Sequence, residues 1–155
     1  LIVLCTNTMH LCSEAITEAV PVPFLHIADT TGKRIRSRGL ETVGLLGTRF
    51  TMEKDFYKKK LQEEYGIQTL IPGPHQREAV HRIIYDELIK GSIREASRET
   101  FKDIISDLAD RGAEGVVLGC TEIPLLISSA DVEIPVFDTT RIHAEEAVYR
   151  AMDTP

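Results

Sequence analysis

Hydrophobic and polar positions follow two different patterns along the chain. The runs 1–5, 43–47 and 116–120 consist of apolar residues and glycine, with no charged residue among them. Such runs are typical of strands that are buried on both faces of a parallel sheet. Between the strands, apolar residues return at the spacing of one helix face, as at Val80, Ile83, Ile84 and Leu88. The alternation predicts an α/β fold with mostly parallel sheets flanked by helices.

Turn residues and helix-end signals divide this pattern into separate elements. Strands are predicted at about 1–5, 24–27, 43–47, 67–71, 116–120 and 135–137. Helices are predicted at about 9–19, 29–38, 51–65, 76–90, 92–111 and 139–152. Thr51 is the expected N-cap of the third helix and Gly66 its C-terminal stop. Ser92 and Glu95 have the spacing of a capping box.

The composition narrows the class of protein. Of the 155 residues, 43% are hydrophobic and 27% are charged, which excludes a disordered chain and suits one ordinary domain or two small ones. The net charge of −6 argues against a nucleic-acid partner, and no apolar run approaches the roughly 20 residues that span a bilayer. Three cysteines are too few for a disulfide scaffold, so we expect free thiols and a cytoplasmic location.

One pattern occurs twice in the sequence. Residues 1–6 and 116–121 both consist of an apolar run that ends in Cys and Thr. Each is followed by a helical stretch and then by a strand that begins at a proline, Pro23 or Pro135. Because ligands in α/β folds bind beyond the carboxyl ends of strands, the repeat predicts two half-sites that face each other across a cleft.

The thiols of Cys5 and Cys120 are the strongest candidates for chemistry. Each lies where a predicted strand passes into a loop or helix, and backbone N–H groups at a helix start lower the pKa of a thiol and favour the reactive thiolate. Cysteine is also a common small buried residue, but the repeated Cys-Thr context favours function. Cys12 lacks this context and is interpreted as structural or incidental.

Polar residues after each cysteine are suited to holding a carboxylate or an ammonium group. They are Thr6, Asn7, Thr8, Thr121 and Glu122. Their alternative role is ordinary helix capping. The turn 44–51 begins with a glycine-bounded strand and could add a third wall to an anion site, or simply cap a helix. The five histidines show no metal-ligand spacing, so we expect neither a metal site nor any assembly of histidines.

Several segments together resemble the aspartate/glutamate racemase family, most closely its aspartate racemase and broad-specificity amino-acid racemase branch. The resemblance lies in Cys-Thr-Asn-Thr-Met-His (5–10), Gly-Cys-Thr-Glu-Ile-Pro-Leu-Leu (119–126), 23–29, 45–52 and 135–139. It implies two similar α/β domains with the active site between them, an amino-acid substrate and a homodimer. It also implies catalysis without pyridoxal phosphate, any other cofactor or a metal.

The resemblance assigns a role to each candidate residue. Cys5 and Cys120 would be the acid/base thiols that act on opposite faces of the substrate Cα. The residues that would bind the amino-acid backbone groups are Thr6, Asn7, Thr8 and Thr121, and Glu122 would contact the ammonium group or its neighbours. Thr48 and Thr51 would line the side-chain end. Lys90 lies near a position at which aspartate-specific members hold the side-chain carboxylate, so aspartate specificity stays open.

The repeat and the resemblance also predict how the chain is divided. Residues 1–28 and 140–155 are expected to belong to the first α/β domain, and residues 40–138 to the second. The Gly-Gly-Met/Ser-type loop of the family's first domain is not in this sequence, which opens on a strand, so we expect a longer chain whose beginning is missing. The alternatives are a hydantoin racemase, a maleate-type cis–trans isomerase, or a catalytically silent binding module.

Overall fold

The computed structural model describes residues 1–152, in which strands and helices alternate. The strands are β1 (Ile2–Val3), β2 (Phe24–Leu25), β3 (Thr42–Gly47), β4 (Gln68–Leu70), β5 (Val116–Gly119) and β6 (Val136–Asp138). The α-helices are α1 (Ser13–Ala19), α2 (Ile27–Arg36), α3 (Arg49–Glu53), α4 (Asp55–Tyr65), α5 (Pro74–Asp86), α6 (Glu95–Asp110) and α7 (Thr139–Met152). Short 3₁₀ helices cover Thr8–Cys12, Leu88–Lys90 and Ile123–Leu125.

Four of the strands form one parallel sheet in the order β4–β3–β5–β6. The central strands β3 and β5 lie side by side, with Gly44 opposite Val116 and Gly47 opposite Gly119. All of β5, and all of β3 after Thr42, is buried, as expected for apolar strands covered on both faces. β1 and β2 pair with each other in a separate two-stranded parallel sheet. The predicted α/β fold with parallel sheets is confirmed.

Helices cover both faces of the four-stranded sheet, and alternate residues of its central strands point to opposite sides. Leu46 and Leu118 belong to the hydrophobic cluster that α5 and α6 complete. Leu45 and Val117 belong to the cluster formed with α2, α4 and α7. This alternation is the ordinary pleat of a β-strand. Each face of the sheet therefore has its own core, and the strand ends remain free to build a site.

Helix α2 connects the small sheet to the rest of the molecule. It follows β2 directly and packs against both α4 and α7. In addition, the Nε2–H of His143 in α7 donates to the Leu25 carbonyl oxygen of β2 at 3.0 Å. These contacts hold the short β1–β2 sheet against the larger one. The predicted domain boundaries stay a prediction, and residues 153–155 of the predicted first domain lie outside the described residues.

The predicted helix over 51–65 begins at the wrong residue. The structure has two helices here, α3 and α4, separated by the extended backbone of Lys54 (φ −75°, ψ 153°). The Thr48 hydroxyl accepts from the Thr51 N–H at 3.4 Å, so Thr48 is the N-cap and Thr51 lies inside α3. Both threonines have a side chain that can cap a helix. Thr48 takes the N-cap position because β3 ends at Gly47, directly before it. The predicted stop at Gly66 is confirmed by its left-handed backbone (φ 63°).

Two further boundaries differ from the predictions for local reasons. Helix α6 begins at Glu95 without a side-chain cap, so the predicted capping box is wrong, and the Ser92 hydroxyl accepts from the Arg94 side chain instead. Strand β2 ends at Leu25, because the His26 ring accepts the N–H of residue 28 and caps α2. Within the described part of the chain, no helix is long and apolar enough to cross a membrane.

Candidate active site

The two Cys-Thr segments meet at a cavity of about 350 Å³. It lies beyond the carboxyl ends of β1, β3 and β5, where α/β folds bind ligands. The predicted site residues that line it are Thr6, Asn7, Thr8, Thr48, Cys120, Thr121 and Glu122. The remaining wall is made by Met9, Ile84, Tyr85, Ile89 and Gly119.

Glycines at the ends of β3 and β5 allow the two strands to approach closely below this cavity. Gly47 lies opposite Gly119. A Cβ atom on Gly119 would lie 2.9 Å from the Leu46 carbonyl oxygen, which is closer than real Cβ contacts. Because neither strand carries a side chain at this point, Thr48 and Cys120, the next residues along each strand, can line the same cavity.

The Cys120 thiol is buried and paired with a carboxylate. Its S–H donates to Glu122 Oε2 at 2.9 Å, and the Thr121 hydroxyl donates to the same oxygen at 2.7 Å. Burial, together with this bond to Glu122, raises the pKa of Cys120 to about 12. The predicted lowering of the thiol pKa is therefore wrong for Cys120. Nearby backbone N–H groups do act in the predicted direction, but burial and the carboxylate outweigh them.

Glu122 is held at the cavity as a carboxylate. Partial burial raises its pKa, but the bonds that it accepts from Cys120 and Thr121 outweigh burial and leave the pKa below its usual value. Glu122 is therefore negatively charged at neutral pH. A carboxylate at the edge of a cavity is suited to an ammonium group.

Asn7 presents an acceptor that the protein itself does not use. Its Nδ2 donates to the Thr139 hydroxyl at 3.0 Å, and that hydroxyl donates its single hydrogen to the Leu118 carbonyl oxygen at 2.8 Å. Thr139 can therefore only accept from Asn7, which fixes the amide orientation. Asn7 is 3% exposed, and its Oδ1 accepts no hydrogen bond from the described residues. A buried acceptor left without a donor is costly.

Three threonine hydroxyls join the two walls of the cavity. Thr8 Oγ1 lies 3.1 Å from Thr48 Oγ1 and 3.3 Å from Thr51 Oγ1, and the latter two are 3.2 Å apart. Thr8 and Thr48 line the cavity, whereas Thr51 is not among the lining residues. Thr51 instead contacts the two hydroxyls that do line it.

Cys5 is not among the lining residues of this cavity. It is exposed, and its Sγ lies 3.8 Å from the Val3 carbonyl oxygen. Thr6, the next residue, does line the cavity. Cys5, Cys12 and Cys120 are all free thiols. The opposition of Cys5 and Cys120 across a cleft stays a prediction.

Three histidines that no sequence motif links lie together beside the segment that follows Cys5. The ring centroids of His10 and His26 are 4.5 Å apart, and those of His10 and His143 are 5.9 Å apart. His10 Nε2 accepts from the Ile27 N–H at 3.1 Å, and Nδ1 lies 2.7 Å from the Thr6 carbonyl oxygen, so the ring is neutral with its proton on Nδ1. Burial lowers the pKa of His10 to about 4 and that of His26 to about 3. The expectation that the histidines do not assemble is wrong.

A larger hollow of about 410 Å³ lies beside α7. Its arginines include Arg34 and Arg141, both of which pair with Glu145, and neither cysteine nor histidine lines it. The presence of reactive groups, rather than size, therefore identifies the smaller cavity as the candidate active site. Within residues 1–152, no group of three or more His, Cys, Asp or Glu side chains could hold a metal ion.

Comparison with known proteins gives the chain its family. A family described as Asp/Glu/Hydantoin racemase matches residues 1–147. The chain belongs to this family. The broad specificity amino-acid racemase RacX of Bacillus subtilis (strain 168) is 28% identical over 142 residues, which make up 92% of this chain and 60% of that protein.

Two crystal structures of the racemase type are closely similar to the chain. One, described as a "putative Asp/Glu Racemase" from Yersinia pestis, is 48% identical with a TM-score of 0.92, over 96% of this chain and 65% of that one. An aspartate racemase homologue from Pyrococcus horikoshii OT3 is 38% identical with a TM-score of 0.87, over the same shares. The resemblance seen in the sequence is confirmed for the family and the fold. The chain spans between 60% and 65% of the length of these relatives.

Sequence reasoning missed one wall of this racemase-family site. Ile84, Tyr85 and Ile89 line the cavity from α5 and the 3₁₀ helix after it. The helical spacing assigns Ile84 to the core, and it offers no reason to single out Tyr85 or Ile89, which are 44% and 52% exposed. The signal in the sequence that could have indicated this wall is that Tyr85 and Ile89 are large apolar residues outside the buried face of an amphipathic helix. Thr139, which orients Asn7, carries no such signal, because its bonds to Leu118 and Asn7 join residues that are far apart in the sequence.

Proposed function

We propose that this racemase-family protein interconverts the enantiomers of an amino acid without a cofactor. Cys5 and Cys120 act as acid and base on opposite faces of the substrate Cα. The observation that carries the proposal is the Cys120 thiol, which is protonated, bonded to Glu122 and open to a cavity whose other wall follows Cys5. Two separate thiols suit racemisation, because a single base would have to cross the substrate to return the proton to the other face.

A free amino acid matches the acceptors and donors around the cavity. Its ammonium group supplies a positive charge that pairs with the Glu122 carboxylate. The hydroxyls of Thr8 and Thr48 can donate to the carboxylate, where they stabilise the negative charge that develops as Cα loses its proton. A hydantoin has no ammonium group and would leave the Glu122 charge without a partner. The composition of the cavity therefore favours an amino acid over a hydantoin.

The proton transfers balance without any other reactant. In one direction the Cys5 thiolate takes the Cα proton, and the electron pair of the C–H bond passes into the substrate carboxylate. Cys120 then gives its thiol proton to the opposite face of Cα and is left as a thiolate. The reverse direction begins from that thiolate and restores the first state. Each turnover exchanges the protonation states of the two thiols.

Glu122 links substrate binding to the release of the Cys120 proton. Its Oε2 accepts from both Cys120 and Thr121. A substrate ammonium that binds Glu122 competes for this oxygen and frees the thiol hydrogen to face Cα. The same ammonium offsets the repulsion between the Glu122 carboxylate and the new Cys120 thiolate.

The direct test is a substrate panel on the complete protein. Both enantiomers of several free amino acids and of a hydantoin are assayed by chiral chromatography, and maleate is assayed for conversion to its trans isomer. We also propose that the complete protein is a homodimer, and its oligomeric state is measured in parallel. We expect racemisation of free amino acids, with product that carries solvent deuterium in D₂O after a single turnover. Activity only on hydantoins or maleate, or on nothing in the panel, would contradict the proposal.

A further inference from the structure

Part of the cavity lining, called here the apolar wall, consists of large apolar side chains. It is formed by Met9, Ile84, Tyr85 and Ile89. Ile84 is buried, but the other three are between 44% and 52% exposed. Exposed apolar side chains that gather at a cavity, rather than lying scattered, mark a surface that binds apolar groups. The apolar wall is therefore suited to a hydrocarbon-like group.

Among residues 1–152, no lysine or arginine lines the cavity. The basic residues of the neighbouring segment are engaged with carboxylates outside it. Lys90 Nζ lies 3.7 Å from Asp86 Oδ1, with 63% of the Lys90 side chain exposed. Arg94 lies 3.7 Å from Glu87 Oε1. The role considered for Lys90, binding a side-chain carboxylate, therefore has no support in this geometry.

Arg49 follows Thr48, which does line the cavity, and is the next cation to consider. Its guanidinium donates to Glu78, and its backbone N–H bonds to the His81 ring. The charged group that does line the cavity is Glu122, which is negative. A substrate with a side-chain carboxylate would meet an apolar wall and a like charge, without a cation in the lining to offset its desolvation.

We infer that this site takes amino acids with uncharged, largely apolar side chains, such as methionine and leucine, in preference to aspartate and glutamate. The inference rests on the proposed function and adds the substrate class to it. Among the side chains of Met9, Ile84, Tyr85 and Ile89, the Tyr85 hydroxyl is the one polar group besides the Met9 sulfur, so polar but uncharged side chains are the next class to fit. The cavity of about 350 Å³ lies near the small end of the roughly 300–1,000 Å³ of ligand pockets.

The test compares kcat/KM for L-methionine and L-leucine with kcat/KM for L-aspartate and L-glutamate, in the complete protein. We expect a preference of about tenfold or more for the apolar pair, which is the scale of discrimination that a hydrophobic pocket achieves. Equal or higher values for aspartate or glutamate would overturn the inference and leave the proposed function intact. Racemisation of none of the four, with activity on another free amino acid, would overturn the inference alone, whereas inactivity on every free amino acid tested would contradict the proposed function as well.

Charge introduced into the wall provides a second, independent readout. Ile89→Arg places a cation at a half-exposed position that tolerates a long side chain, and we expect the leucine-over-glutamate ratio to fall about tenfold or more. Tyr85→Arg tests the same wall from α5, should one of the variants fail to fold. Lys90→Ala is the matched control: this side chain does not line the cavity, so the ratio should stay within about twofold. An unchanged ratio in folded arginine variants would overturn the inference.

Discussion

The two Cys-Thr segments share a sequence pattern and differ in their surroundings. Cys120 lies at the end of the fully buried β5 and its thiol donates to Glu122, two residues ahead. Cys5 follows the two-residue strand β1, is exposed, and has Asn7 at the corresponding position. Asn7 bonds to Thr139 rather than to its cysteine. A carboxylate beside one thiol and an amide near the other make the two half-sites chemically unequal.

In the proposed mechanism, this inequality gives the two segments different roles. The bond to Glu122 adds to the effect of burial, which keeps the Cys120 thiol protonated, and the single negative charge of Glu122 would pair with the ammonium group of an amino acid. The segment that follows Cys5 carries the uncharged Asn7 and the neutral His10 instead.

Loss of either thiol should have the largest effect. Cys5→Ser and Cys120→Ser should each lower kcat for racemisation by about 100- to 10,000-fold, the range that general acid–base groups contribute, because a hydroxyl is a far poorer base than a thiol. Cys12→Ser, at an exposed free thiol outside the cavity, is the matched control and should retain activity. A single-serine variant of Cys5 or Cys120 that racemised at close to the wild-type rate would end the two-thiol hypothesis.

Acid should weaken the Cys5 side before the Cys120 side. Burial lowers the pKa of His10 to about 4 and that of His26 to about 3 in the folded protein, from 6.5 in the unfolded chain. Below pH 6.5 the unfolded state therefore binds more protons, and the free energy of unfolding decreases as the pH is lowered. For His10 alone the loss between pH 7 and pH 4 is up to about 3 kcal/mol, at roughly 1.4 kcal/mol per pKa unit.

Chemical denaturation and hydrogen exchange at several pH values measure this effect. We expect amides of residues 6–12 to lose protection at higher pH than those of 116–122. His75→Gln, at an exposed histidine, should leave the pH profile unchanged, whereas His10→Gln should flatten it. Stability that was flat from pH 7 to pH 4 would contradict the assignment of neutral buried histidines.

A smaller effect is expected from removing the charge beside Cys120. Glu122→Gln should lower the pKa of Cys120, because a carboxylate next to a thiol disfavours the thiolate, although burial still keeps the pKa high. Alkylation of Cys120 by iodoacetamide at pH 8, in a protein with Cys5 and Cys12 changed to Ser, should speed up by about three- to fourfold for each pKa unit lost, because the tenfold gain in thiolate is partly offset by the lower nucleophilicity of a less basic thiolate. Glu133→Gln, at an exposed glutamate outside the cavity, serves as the control. Slower alkylation of Cys120 in Glu122→Gln would show that the carboxylate activates the thiol instead.

The parts of the fold that depend on local pattern could be predicted from the sequence. The unbroken apolar runs of β3 and β5 are buried as expected, and Gly66 ends α4 because only glycine readily takes its backbone angles. Thr48 and Thr51 show the limit of such reasoning, since both are chemically able to cap and their placement depends on where β3 stops.

Most of the predicted site residues line the cavity, but their electrostatics could not be predicted. The Cys-Thr repeat located Cys120, yet the direction of its pKa depends on burial and on the orientation of the Glu122 side chain, which a sequence does not specify. The cluster of His10, His26 and His143 arises from the packing of β2, α2 and α7. The apolar wall at Tyr85 and Ile89 likewise depends on which way α5 faces the strand ends.

The most direct measurement of the central claim is α-proton exchange in D₂O by the two single-serine variants, followed by NMR with each enantiomer of one substrate. If each thiol serves one face of Cα, Cys5→Ser and Cys120→Ser should each exchange the α-proton of one enantiomer without racemising it, and the two variants should prefer opposite enantiomers. Exchange of the same enantiomer by both variants, or wild-type product that retains the substrate's α-proton, would contradict the assignment of Cys5 and Cys120 to opposite faces.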